Sequence, residues 1–153
     1  MLVVWVGGLI FFAFVLAPVA FRQLPNSHEA GLVVGASLRA LHRMGLVAGV
    51  VYLLTALMGG RGRRWWIGPA LVAAMMVLTA GSQWGILPRM EVDRAAAGGD
   101  VAAADRRDPA RVDFDRLHRL SERVEGGVLL LGLVAVVLLG LETDTTKRFS
   151  TAP

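Results

Sequence analysis

Apolar residues fall into four blocks, 2–21, 44–60, 65–87 and 126–141, separated by polar segments. A bilayer core about 30 Å thick takes about 20 helical residues, each rising about 1.5 Å. The first and third blocks meet that length unaided. The second and fourth fall short by about four residues, so the last polar turn before each must dip into the membrane edge. The spans then read 2–21, 40–60, 65–87 and 122–141, with a mobile loop at about 91–112 and a polar tail at 142–153. The expected fold is all-α: an integral membrane four-helix bundle over 1–153, with helices 2 and 4 extending beyond the membrane on one side. Spans 1 and 3 are both expected to end near a proline, at Ala17-Pro18 and Leu87-Pro88.

Spacing within the spans predicts the packing faces. Gly31, Gly35, Leu38, His42, Gly45, Gly49, Tyr52 and Ala56 recur at alternating four and three, which makes one seam of mostly small residues. Lipid supplies no hydrophobic drive between helices, so close backbone approach along such a seam is what holds them. The third span offers Ala70, Ala74, Val77, Gly81 and Gly85 as its counterpart. The glycines expected to pack are therefore Gly31, Gly35, Gly45, Gly49, Gly81 and Gly85.

The entry to the fourth span divides by face at about 100° per residue. Phe114, Leu117, Leu120 and Val124 form an apolar stripe with Ser121 at its edge, beside an acidic and imidazole stripe of Asp115, His118, Glu122 and Glu125. Arg116, Arg119 and Arg123 form a third stripe turned to headgroups and water.

Composition narrows the function classes. The chain is 55% hydrophobic and 18% charged over 153 residues, with a mean hydropathy of +0.57. It has no cysteine, which removes disulfides, thiolate nucleophiles and CxxC sites together. The net charge of +4 is dispersed through loops without a basic aromatic patch, so the expected partner is the lipid bilayer and not nucleic acid. Pro18-Val19-Ala20 faintly resembles a signal cleavage site, but no basic segment precedes it, and the first span reads as retained. Tryptophans 5, 65, 66 and 84 lie near span ends and read as an interfacial belt.

The candidate polar cluster inside the membrane is Arg39, His42, Arg43, His118, Ser121, Glu122 and Glu125. Intramembrane charge is usually paired with charge, so Arg43 is expected to pair with Glu125 at matching depth, with Arg39 near Ser121 or Glu122. A sharper alternative has His42, His118 and Glu125 binding a metal ion or relaying protons, since imidazole and carboxylate suit both roles. Against it, His118 sits roughly two helical turns outside the depth of His42. Axial haem ligation by the two histidines meets the same mismatch. No serine-hydrolase elbow, HExxH or phosphate loop is present.

Short motifs then carry a resemblance. Trp5, Gly7, Gly8, Phe11, Phe12, Ala17, Pro18 and Phe21 form W-x-G-G, FF and AP-x-x-F; LPRM follows at 87–90; and F-x-x-LH-x-x-S is formed by Phe114, Leu117, His118 and Ser121. Together they resemble the transmembrane protein 205-like family, which carries a domain of unknown function. The resemblance implies a four-helix multipass protein with no assigned reaction, and it marks His118 and Ser121 as family features. Its members often have Asn where this chain has Glu125, which implies that a shared hydrogen-bonding role is either absent here or replaced by an ion pair.

The function expected is that of a non-enzymatic scaffold or accessory subunit of a larger membrane assembly, without cofactor, meeting other subunits or itself through small-residue faces. The alternative is a small carrier or metal- or proton-handling protein, which requires a polar cavity bounded by His42, Ser121 and Glu125. A bacterial cytoplasmic membrane is the expected location. The short, purely basic GRGRR loop puts itself and both termini in the cytoplasm. A plain count opposes this, with eleven Lys and Arg on the other side against five. The loop rule is carried forward.

Overall fold

The computed structural model describes residues 1–59 and 66–150, with the side chains of 59 and 142–150 left aside. The GRGRR loop, Trp65 and the last residues of the polar tail lie outside the described residues. Four helices are long and apolar enough to cross a membrane: α1 (Leu2–Gln23), α2 (Ser27–Gly59), α3 (Ile67–Ala96) and α4 (Pro109–Ser150). The protein is an all-α four-helix membrane protein. Helices α1 and α3 each pack against both α2 and α4, so α2 and α4 stand diagonally opposite.

Helices α1 and α3 do not end at their prolines. Each widens into a single π-helical turn, Phe12–Leu16 and Ser82–Ile86, and then continues through Pro18 to Gln23 or Pro88 to Ala96. Proline offers no N–H and its ring crowds the carbonyl four residues back, and a widened turn accommodates both. Because α3 runs on to Ala96, the connection to α4 is residues 97–108, shorter than the expected 91–112. It is also stitched down. Gly98 and Gly99 turn the chain with φ of 80° and 91°, and Arg111 donates from Nη1 to the carbonyls of Ala102 (3.1 Å) and Ala104 (2.6 Å).

The helix starts are capped as their residues dictate. The Asn26 side chain accepts from the Glu29 N–H at 2.8 Å and donates to the Glu29 carboxylate at 3.1 Å. Asp108 caps α4 through the Ala110 N–H at 2.8 Å, with Pro109 in the first helical position, where its missing N–H costs nothing.

The main core lies toward the termini end: Leu2, Trp5, Val6 and Leu9 of α1 meet Val72 and Met75 of α3 and Val128 and Ala135 of α4. Gly45 and Gly49 of α2 fill their expected role, because a Cβ at Gly45 would overlap the Trp5 indole and one at Gly49 would meet Met76 Sδ at 2.6 Å. Trp5 is thus a core residue, only 2% exposed, and not part of an interfacial belt. Trp66 and Trp84 are exposed. A smaller cluster of Leu38, Leu87 and Met90, with Phe12, Phe114 and Leu117 against it, closes the other end.

The packing face expected of α3 is wrong. Ala70, Ala74, Val77, Gly81 and Gly85 are all exposed, while Val72, Met75, Thr79, Ser82 and Gln83 are buried. Gly81 and Gly85 have open space where a Cβ would stand. Small-residue spacing marks a face able to pack, and on α3 larger side chains fill the centre. Gly31 and Gly35 are likewise not helix contacts: a Cβ at either would meet only an arginine side chain, Arg94 at 3.5 Å or Arg39 at 3.9 Å, and both glycines line a cavity.

Candidate functional site

The centre of the bundle holds one polar layer. His42 is completely buried. Its Nε2 lies 2.8 Å from Glu125 Oε1, and its Nδ1 lies 3.1 Å from Gln83 Oε1. Ser82 donates from Oγ to the same Glu125 oxygen at 3.0 Å. Helices α2 and α4, diagonal in the bundle, are therefore joined through side chains, with α3 contributing from between them.

Local backbone explains why α3 supplies consecutive residues. On a regular helix neighbours diverge by about 100°, but Ser82 and Gln83 open the π turn and are both buried. Neither was anticipated as a site residue. The signal available was Pro88, whose ring disturbs the turn before it and so the phase of that face.

Proton counting constrains this layer. Both imidazole nitrogens of His42 face oxygens, yet a neutral imidazole has a single N–H. With the Gln83 amide placed as it is, an assignment made from the hydrogen-bond network, Nδ1–H donates to Gln83. One proton is then left between Nε2 and Glu125 Oε1. Whether it rests on nitrogen or oxygen, the pair has no net charge. That matters at this depth, where an uncompensated charge costs roughly 2.5 to 3.5 kcal/mol. Glu125 Oε2 is buried without a hydrogen-bond partner among the described residues.

The expected pairings change accordingly. Arg43 does not meet Glu125; next to His42 on α2, it is turned away from the centre and exposed. Its long stem can carry the guanidinium to the headgroups, which costs less than burying it. Arg39 meets neither Ser121 nor Glu122 but Glu91, at 2.7 Å. Ser121 is buried as expected.

His118 stands apart. It is half-exposed, lies 3.4 Å from Glu122 one turn on, and stacks on Phe114 with ring centroids 6.1 Å apart. The expected metal set of His42, His118 and Glu125 is not assembled, and no group of three or more possible ligands comes together among the described residues. Axial haem ligation fails too, since both nitrogens of His42 are engaged.

Outward from this layer lies a cavity of about 800 Å³ between α1, α2 and α4, roofed by the end of α3. Its inner wall includes Ser121 and Glu125, and its outer rim includes Arg39, Glu91, Arg94 and Asp115. The volume is in the range of small-molecule sites. Apolar walls with a few convergent polar groups suit such a role. His42 sits behind Glu125 and does not line the space.

No curated protein and no solved structure matches this chain. One family model does match, over residues 1–95, which is α1, α2 and nearly all of α3; the Phe114, Leu117, His118 and Ser121 motif of α4 falls beyond it. The chain belongs to the family described as a domain of unknown function (DUF4149).

Proposed function

We propose that this chain is a small non-enzymatic carrier, whose ligand occupies the cavity and whose His42–Glu125 pair responds through its shared proton. One observation carries the reading: Glu125 is at once a cavity wall and the partner of a buried imidazole. A ligand lying against this carboxylate changes what surrounds the pair and so where the proton rests. The transfer leaves the net charge of the pair unchanged, and Ser82 and Gln83 hold both side chains in place.

Native mass spectrometry of protein released from mild detergent tests this. The wild-type chain is expected to carry a small-molecule adduct that Glu125→Gln loses while its melting temperature stays within a few degrees. A bare chain in both samples overturns the reading.

A second reading, scaffold or accessory subunit, has its own support. The small residues Ala70, Ala74, Gly81 and Gly85 face outward on α3, where another membrane helix, from this chain or from a different subunit, can approach closely. The small-residue seam of α2 gives no such support at Gly45 and Gly49, which Trp5 and Met76 cover. Protein adducts in the same spectra, lost on Gly81→Leu, would favour this reading. We also read the membrane as a bacterial cytoplasmic one with the termini inside, on the GRGRR argument, and the narrower kinship as transmembrane protein 205-like, on the motifs given above.

A further inference from the structure

Resting on the cavity-binding reading, we infer that the cavity takes an amphipathic anion, a single alkyl chain ending in a carboxylate or phosphate, with Arg94 as its head-group residue.

The case begins with charge satisfaction. The lining carboxylates are mostly answered: Glu91 by Arg39 at 2.7 Å, Glu122 by His118 at 3.4 Å, Glu125 by His42, and Asp100 by the Ala102 N–H at 3.1 Å. Arg94 is not. Its side chain is only 13% exposed, its one ion-pair partner Glu91 is 3.7 Å away and nearer to Arg39, and its Nη1 is buried with no hydrogen-bond partner among the described residues. The guanidinium lies over the Phe114 ring at 5.5 Å, which fixes its plane without supplying an acceptor. A mostly buried, planar, permanently charged guanidinium whose Nη1 has no acceptor within hydrogen-bond distance among the described residues is what a carboxylate or phosphate satisfies best.

The alkyl chain follows from what lies below. Arg94 stands about 10 Å along α3 from Leu87, and the walls between that level and Glu125 include Phe12, Leu38 and Leu87, with Leu129 one turn deeper on α4. Phe14 and Phe21 of α1 line the same space yet are 70% and 52% exposed, so the cleft is open on the side where bilayer chains lie. An alkyl chain can slip in sideways there with its head held at membrane-surface depth. Asp115, half-buried in the same lining, pulls toward a cationic head, which makes charge the discriminating variable.

The test is displacement of a fluorescent fatty acid from the purified full-length chain in phosphatidylcholine nanodiscs. Palmitate and hexadecyl phosphate are expected to displace it. Hexadecanol and hexadecyltrimethylammonium are expected to be at least about tenfold weaker, and inorganic phosphate inactive, which separates a lipid source from a free anion. Arg94→Gln should weaken the probe by about tenfold or more, Arg94→Lys should recover part of the loss, and Arg43→Gln should change nothing. Gly35→Phe, which projects into the cavity where a Cβ meets only the Arg39 Nη1 within 4 Å, guards against misfolding of the Arg94 variants and should abolish binding at an unchanged melting temperature. Equal displacement by the ammonium compound overturns the anionic head and leaves the cavity reading standing. Failure of every alkyl compound to bind overturns the amphipathic ligand, and a bare chain in native mass spectrometry overturns the carrier reading with it.

Discussion

The two ends of this bundle solve the same packing problem in opposite ways. Toward the termini, glycines are placed against bulk: Gly45 under Trp5, Gly49 under Met76, and Gly132 where a Cβ would come 2.6 Å from Val6. Toward the other end, glycines of the same helix, Gly31 and Gly35, face an unfilled cavity bordered by arginines. The His42, Ser82, Gln83 and Glu125 layer is the border between them. Spacing of small residues is thus the same signal in a dry core and in a binding space. What separates the two is whether a neighbouring helix carries a large side chain at that level.

The comparison breaks most visibly at the border. His42→Leu leaves Glu125 without its imidazole and is expected to cost about 3–5 kcal/mol, read as a lowered unfolding midpoint in mild detergent. Adding Glu125→Leu should recover part of that, since two apolar groups need no partners. If the double variant is as damaged as the sum of the singles, the pair is not the stabilising unit. Next in size, Gly45→Val should lose about 1–3 kcal/mol by overpacking against Trp5. Gly81→Ala, on the lipid face of α3, should gain up to about 1 kcal/mol from helix propensity, and equal losses at the two sites would erase the distinction between faces. Smaller again, Arg39→Met removes a half-exposed ion pair with Glu91 and should shift stability by no more than about 1 kcal/mol. Smallest is Arg43→Gln, expected within about 0.5 kcal/mol in the same assay because the side chain is exposed; a loss of several kcal/mol would restore the pairing with Glu125 that depth alone suggested.

Much of this was readable in the residues. Four spans follow from apolar run length, and the inward faces of α2 and α4 follow from period, since Leu38, His42, Gly45 and Gly49 are buried and Ser121 and Glu125 turn in with them. The face of α3 was not readable by the same means. Ala70, Ala74 and Gly81 lie on regular helix before the π turn and offered a false seam that shape alone cannot reject, and the extra residue of the π turn then shifts the phase from Ser82 on. The partner of Glu125 was misread because matching depth was taken as contact, whereas an arginine at a membrane edge has an easier exit than a histidine does. Ser82 and Gln83 passed as filler because they carry no charge and two polar residues do not interrupt so long an apolar run. Only packing reveals that they face inward together.

The paired π turns have a further consequence for how the protein opens. Phe12, Ile86 and Leu87 belong to one apolar cluster, so the widened turns of α1 and α3 lie at one level, next to the polar border. Each is followed by a proline that donates no backbone bond, so both helices lack a main-chain bond at this level. In amide hydrogen exchange the chain should behave as two slowly exchanging blocks with a faster seam through Phe12–Leu16 and Ser82–Ile86. Breathing would then start beside the His42–Glu125 proton and the cavity wall, rather than at the ends of the bundle.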